Sequence, residues 1–184
     1  MSTARSTFGS RTVLGMPAGA RDEVDRLLAE WRHERPDLDA SPLEIFSRVS
    51  RLAVLADRVR RAAFAAHELT GWEFDVLAAL RRSGTPYALS PGALLRCTLV
   101  SSATMTHRVD RLVAQGLVER GPDPEDRRGV LVTLSDSGRT RVDAALADLV
   151  NAEEGLLVSL PGEERAELAG LLRRLLAPIE DAHG

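Results

Sequence analysis

A chain of 184 residues can enclose one sizeable core, and 44% hydrophobic with 28% charged residues is the composition of a folded protein rather than a disordered one. No apolar run approaches the roughly 18 to 20 residues of a membrane span. The formal net charge of −3 disfavours a polyanionic partner unless positive charge is concentrated locally.

Residues 1–20 are rich in Ser, Thr, Arg and Gly, and their Val13-Leu14 pair is too short for a secretion signal, so they read as a flexible leader on a cytoplasmic protein. Val24, Leu27, Leu28 and Trp31 at helical spacing predict a first helix from about Arg21 to Arg35, stopped by Pro36. Ser41-Pro42 is a cap and first-turn pair that opens a long helix to about Leu69, with Ile45, Val49, Leu52, Ala56, Val59 and Ala63 as its apolar stripe. Thr70 and Glu73 form a capping box for a helix over Gly71 to Arg82, ended by Ser83-Gly84 and followed by a loop through Thr85, Pro86 and Tyr87.

Ser90-Pro91 repeats the cap logic for a short helix to about Arg96, and Ser101 caps the next, which ends at Gly116. Two strands follow, Leu117 to Arg120 and Val130 to Leu134, with Val130, Val132 and Leu134 expected to face the core. Asp123-Pro124-Glu125-Asp126-Arg127-Arg128-Gly129 joins them as a turn with a basic tip. Ser135 caps a long helix to about Leu157, and Pro161-Gly162 opens a last helix carrying Leu168, Leu171, Leu172, Leu175, Leu176 and Ile179.

The fold class expected is therefore mainly α. A winged helix-turn-helix with a two-stranded β wing over 70–134 is flanked by helical segments, 21–69 and 135–180, in a single domain over 21–184. Each Leu-rich terminal stripe serves either its own core or a second copy of the chain.

Charge distribution favours nucleic acid despite the net acidity. From Arg96 to Arg128 six Arg stand against five Asp and Glu, a local balance of +1, and all 24 basic side chains of the chain are Arg, whose planar fork suits phosphate and guanine edges. On a helical wheel Ser101, Met105, Val109 and Leu112 fall on an inward arc, with Ala103, Thr106, His107, Asp110 and Arg111 opposite. The early, small and polar residues Ser101, Ser102, Ala103 and Thr104 let the backbone and short hydroxyls approach base edges. Thr106, His107 and Arg111 are then contacts to phosphate or base. Asp126 is expected to orient an Arg so that Arg127 or Arg128 enters the minor groove.

Other chemistries find little support. His33, His67, His107 and His183 lack metal-ligand spacing, no phosphate-cradling glycine loop occurs, and no cofactor or catalytic residue is assigned. Cys97, the single cysteine, is expected to be a small core residue beside Leu94, Leu95 and Leu99.

The runs Glu73-Phe74-Asp75-Val76-Leu77, Val100-Ser101-Ser102, Met105-Thr106 with Arg108, Asp110-Arg111-Leu112, Gly116-Leu117-Val118 and Asp123 to Val130 resemble the MarR family of bacterial transcription regulators. That resemblance implies a homodimer on the double-stranded DNA of a pseudo-palindromic operator, joined through its terminal helices. Glu30-Trp31, the run from Glu34 to Asp39, and Ser41-Pro42 further resemble the urate-responsive branch, which has an added N-terminal helix. Its ligand residues correspond to Trp31, Asp75, Arg108 and Arg120. Ser47-Arg48 and His107 depart from the branch, where Gly-Arg and Asn are usual.

Arg108 sits at the rim of the inward arc and needs an anion, for which Asp75, between Phe74 and Val76, is the expected partner. Their pair is either a fixed salt bridge or one half of a site for a small anionic effector, urate above all, that relieves repression. Trp31 is equally an anchor for the first helix. A different effector, an aromatic or tricarboxylic acid, and a winged helix that binds protein instead of DNA are the remaining alternatives.

Overall fold

In a computed structural model of the chain, the residues described are 21–98, 101–124, 126 and 129–181. They form, in order, α1 (Glu23–Glu34), α2 (Ser41–Ala65), α3 (Gly71–Arg82), β1 (Ala88–Leu89), α4 (Pro91–Thr98), α5 (Ser102–Ala114), β2 (Val118–Pro122), β3 (Val130–Leu134), α6 (Asp136–Leu156) and α7 (Gly162–Asp181). Two compact units are present: a terminal one built from residues 21–49 and 156–181, and a central one from 50–155. The leader expected over 1–20 lies outside the described residues.

In the terminal unit, α1 starts where Asp22 accepts from the backbone of Val24 at 2.8 Å and Asp25 at 3.0 Å, while Asp25 returns a bond to Asp22 N. Arg48 on α2 then clasps both carboxylates, at 2.9 Å from Asp22 and 2.8 Å from Asp25. The cap of α2 falls to Asp39 rather than Ser41, since Asp39 accepts from both the N–H and the hydroxyl of Ser41 at 2.9 Å. In the turn before α7, Arg165 donates to the carbonyls of Leu157 and Leu160, groups that the end of α6 and the turn leave without helical partners.

The central unit holds the main core, in which Phe64 of α2 stacks on Phe74 of α3 with centroids 4.1 Å apart. Around them pack Leu77 and Leu80 of α3, Leu94 of α4, Met105, Val109 and Leu112 of α5, Val132 of β3, and Val142 and Ala145 of α6. α2 stops short of the expected Leu69 because Glu68 takes a left-handed backbone, φ 56°, and Leu69 N bonds back to Phe64 O at 3.0 Å. The same closure ends α5, where Gly116 at φ 69° lets Leu117 N reach Leu112 O at 3.0 Å. Here glycine supplies the positive φ without penalty.

The sheet has three strands, in the order β1-β3-β2, all antiparallel. The expected two-stranded wing is β2-β3, in register from Val118↔Leu134 to Pro122↔Val130. β1 is an addition within the expected loop: its two residues pair with Thr133 and Val132 of β3. Of the three residues expected to face the core, Val132 and Leu134 are buried but Val130 is exposed, because it opens the strand at the turn end of the hairpin, past the edge of the core. Among the described residues no helix is long and apolar enough to cross a membrane.

Candidate nucleic-acid interface

Ser101 initiates α5. Its Oγ accepts from Thr104 N at 3.3 Å and shares a hydrogen bond with Thr104 Oγ1 at 2.8 Å, so it is an exposed N-cap and not a member of the inward arc. Inward-facing Met105, Val109 and Leu112 are buried, whereas Ser102, Ala103, Thr104, Thr106 and His107 are exposed along the opposite face. Thr106 Oγ1 donates back to Ser102 O at 3.2 Å. No acidic residue occupies the first turn of α5, so nothing there opposes a phosphate drawn to the helix N-terminus.

Gly129 closes the turn at the end of the wing. Its N–H donates to Asp126 O at 2.8 Å and its carbonyl accepts from Asp123 N at 3.0 Å, while a Cβ there would stand 2.8 Å from that of Asp123. Asp126 is exposed. Arg127 and Arg128, the expected minor-groove residues, lie outside the described residues, as does Val100.

Polar tethers fix α5 from two sides. Arg120 on β2 pairs with Asp110 at 3.0 Å, joining the wing to the helix. On the other side the guanidinium of Arg108 lies 5.3 Å and that of Arg111 5.6 Å from the ring centre of Trp72 at the start of α3, within cation–π range. Arg111 also approaches Glu73 at 3.6 Å, and Gln115 donates to the same carboxylate oxygen at 3.0 Å. Arg111, expected on the DNA-facing arc, is thus partly turned inward toward α3.

Glu73 is the buried acid of this region, 1% exposed. Burial raises its pKa, but the N–H and hydroxyl of Thr70, the amide of Gln115 and the charge of Arg111 outweigh that, holding the carboxyl below its usual range. The cap of α3 was legible in the sequence as the Thr70–Glu73 box. Its reach across to α5 was not, because Gln115 is 42 residues away and carries no local signal.

The expected pairing of Asp75 with Arg108 is not found. Residues two apart on a helix point about 200° apart, so with Glu73 turned inward Asp75 faces out, where it meets Arg60 at 3.9 Å. Arg60 in turn reaches Glu153 of α6 at 3.9 Å. Arg108 takes the face of Trp72 in place of a carboxylate. Trp31 is half-exposed on α1 of the terminal unit. Cys97 is exposed at the end of α4, contrary to the buried position expected, because the inward face of that helix is taken by Leu94.

Comparison with known proteins agrees with this geometry. A MarR-family model matches residues 67–129. The HTH-type transcriptional regulator PecS of Dickeya dadantii is 37% identical over 153 residues, which is 83% of this chain and 92% of PecS. The structure of a MarR mutant from E. coli complexed with operator DNA superposes with a TM-score of 0.63 at 27% identity, covering 76% of this chain and 99% of that one. A structure of Bordetella bronchiseptica BpsR, described as regulated in DNA binding by 6-hydroxynicotinic acid, superposes with a TM-score of 0.54 at 32% identity over 69% of this chain and 91% of that one. With a winged helix in place and a relative of this similarity aligned over nearly its whole length, the chain belongs to the MarR family of DNA-binding transcriptional regulators.

Proposed function

We propose that the protein is a homodimeric repressor that sets α5 in the major groove and the β2–β3 wing in the minor groove at each half of a pseudo-palindromic operator, and that a small planar anion, urate or a related purine, releases it. Ser101, Ser102, Ala103, Thr104, Thr106 and His107 are its base and phosphate contacts, and Arg127 and Arg128 its minor-groove contacts. Two copies are supported by apolar side chains that a single chain leaves uncovered, among them Leu52 on α2 and Leu171 and Leu176 on α7, each about half exposed.

The observation that carries the ligand response is the Arg120–Asp110 pair. An anion that claims Arg120 bidentately displaces Asp110 and unties the wing from the reading helix. Arg108, held only by the face of Trp72, offers a second cation without a carboxylate partner of its own in the described contacts. Asp75 is a further member suggested by the family resemblance alone, since it faces Arg60. For release to follow, the anion must bind the DNA-incompetent state better, and a coupling of about 1 to 3 kcal/mol weakens operator affinity roughly 5- to 150-fold.

The test is a titration of urate into a complex of the protein with a labelled duplex that it selects from a random pool. Release by urate, abolished in Arg120→Ala and Arg108→Ala, is the expected result. Release by heteroaromatic acids alone would favour a second reading, for which the similarity to BpsR speaks. If neither releases DNA, the effector assignment fails, while binding that weakens steeply with salt would still establish the DNA contact.

A further inference from the structure

A capping-box glutamate needs only the first turn of its own helix, and ordinarily stays at the surface. Glu73 instead lies buried, and its two oxygens divide their work: Oε2 accepts from the N–H and the hydroxyl of Thr70, both at 2.7 Å, while Oε1 accepts from Gln115 Nε2 at 3.0 Å and faces Arg111 at 3.6 Å. It is the one buried charged side chain among the described residues. A carboxylate is costly to bury unless each oxygen is satisfied, so its place in the core has to be supported from both helices at once.

The residues that meet Trp72 and Glu73 from α5 are Arg108, Arg111 and Gln115, spaced i, i+3 and i+7, hence one stripe along the helix. Thr106, Ala103 and Asp110 lie on roughly the opposite side of the wheel. Any roll of that stripe turns the exposed face by the same angle. A base-edge hydrogen bond is lost within a fraction of an ångström to an ångström of displacement, so the rotation of α5 is a determinant of recognition.

We propose that Glu73 is a positioning residue for the DNA-reading helix, fixing the rotation of α5 through Gln115 and Arg111 with one carboxylate oxygen while the other caps α3. It touches no DNA itself. The proposal rests on α5 being the reading helix.

Three variants of the full chain separate the two oxygens. Thr70→Val removes a cap-side donor, Gln115→Leu removes an α5-side donor, and Glu73→Gln removes the charge that holds Arg111. The probe is the fluorescein-labelled duplex recovered by the wild-type protein from a random pool, with melting temperature and amide hydrogen exchange of α3 and α5 measured alongside.

Gln115→Leu and Glu73→Gln are expected to weaken duplex binding about tenfold, as loss of hydrogen bonds to a charged group implies, and the double variant to be no weaker than Glu73→Gln alone. Amides of α5 exchange faster in Gln115→Leu while those of α3 keep their protection. Thr70→Val lowers the melting temperature and leaves the dissociation constant within about twofold. Gln115 closes the exposed end of α5, so its variant folds even where Glu73→Gln does not.

Wild-type affinity in Gln115→Leu, or a loss that only tracks melting temperature across all three variants, overturns the proposal and leaves Glu73 as a cap. Should the wild type recover no duplex, the DNA-reading assignment itself fails, and unchanged α5 exchange in Gln115→Leu would separately dismiss the positioning role.

Discussion

A Cβ on Gly138 would lie 2.1 Å from the carbonyl oxygen of Leu117. The first turn of α6 is therefore pressed onto the start of the wing, where Ser135 N also bonds to Leu117 O at 3.1 Å and the Ser135 hydroxyl bonds Gly116 O at 2.8 Å. Gly138→Ala must push backbone from backbone, with no flexible side chain able to yield. It is expected to cost about 3 kcal/mol or more, at the upper end of overpacking penalties, read as a lowered urea midpoint at unchanged slope.

Arg120→Ala tests a contact of the opposite kind. Its ion pair with Asp110 is close to half exposed on both sides, so its loss is expected to change unfolding free energy by less than about 1 kcal/mol. The same variant should lose most of its response to urate. Large destabilisation in a urea titration would show that the pair is structural and would remove it from the ligand mechanism.

Acid stability depends on Glu73. Its carboxyl titrates below the ordinary value of 4.5 in the folded chain, so in that interval the unfolded chain binds the extra proton. Stability from this group is complete above the ordinary value and is lost as pH falls through the lower, folded one. Urea midpoints of the wild type measured between roughly pH 3 and pH 6 should fall on acidification more than those of Glu73→Gln, whose amide does not titrate. Parallel curves would mean that Glu73 is not the source.

Exposure of Cys97 predicts ready chemistry at one site. Native protein should take up one equivalent of a thiol reagent without denaturant, because this is the chain's single cysteine and it is exposed. Reaction only after unfolding, followed by thiolate absorbance, would return Cys97 to the core.

Much of this architecture was legible along the chain. α3 spans Gly71–Arg82 and β3 Val130–Leu134 as expected, and the hydroxyls of Ser90, Ser101 and Ser135 each accept from a backbone N–H three residues on. Such signals are local: a cap, a positive-φ glycine and an apolar period are complete within one or two turns. β1 escaped because two residues hold no period, and its pairing partner on β3 lies more than forty residues later. Cys97 escaped because its Leu neighbours do not tell which face of a short helix turns inward.

Sequence by itself determined which segments are helical, where they start, and that an exposed polar helix is followed by a hairpin, since backbone hydrogen bonding and apolar spacing are short-range. Tertiary structure alone decided which charged groups meet. Asp75 looked like the buried acid from its apolar neighbours, yet the roll of α3 turned Glu73 into the core toward Arg111 and Gln115 and sent Asp75 out to Arg60. A rotation of one helix is set by the packing of every residue on its face, and no pair of neighbours along the chain encodes it.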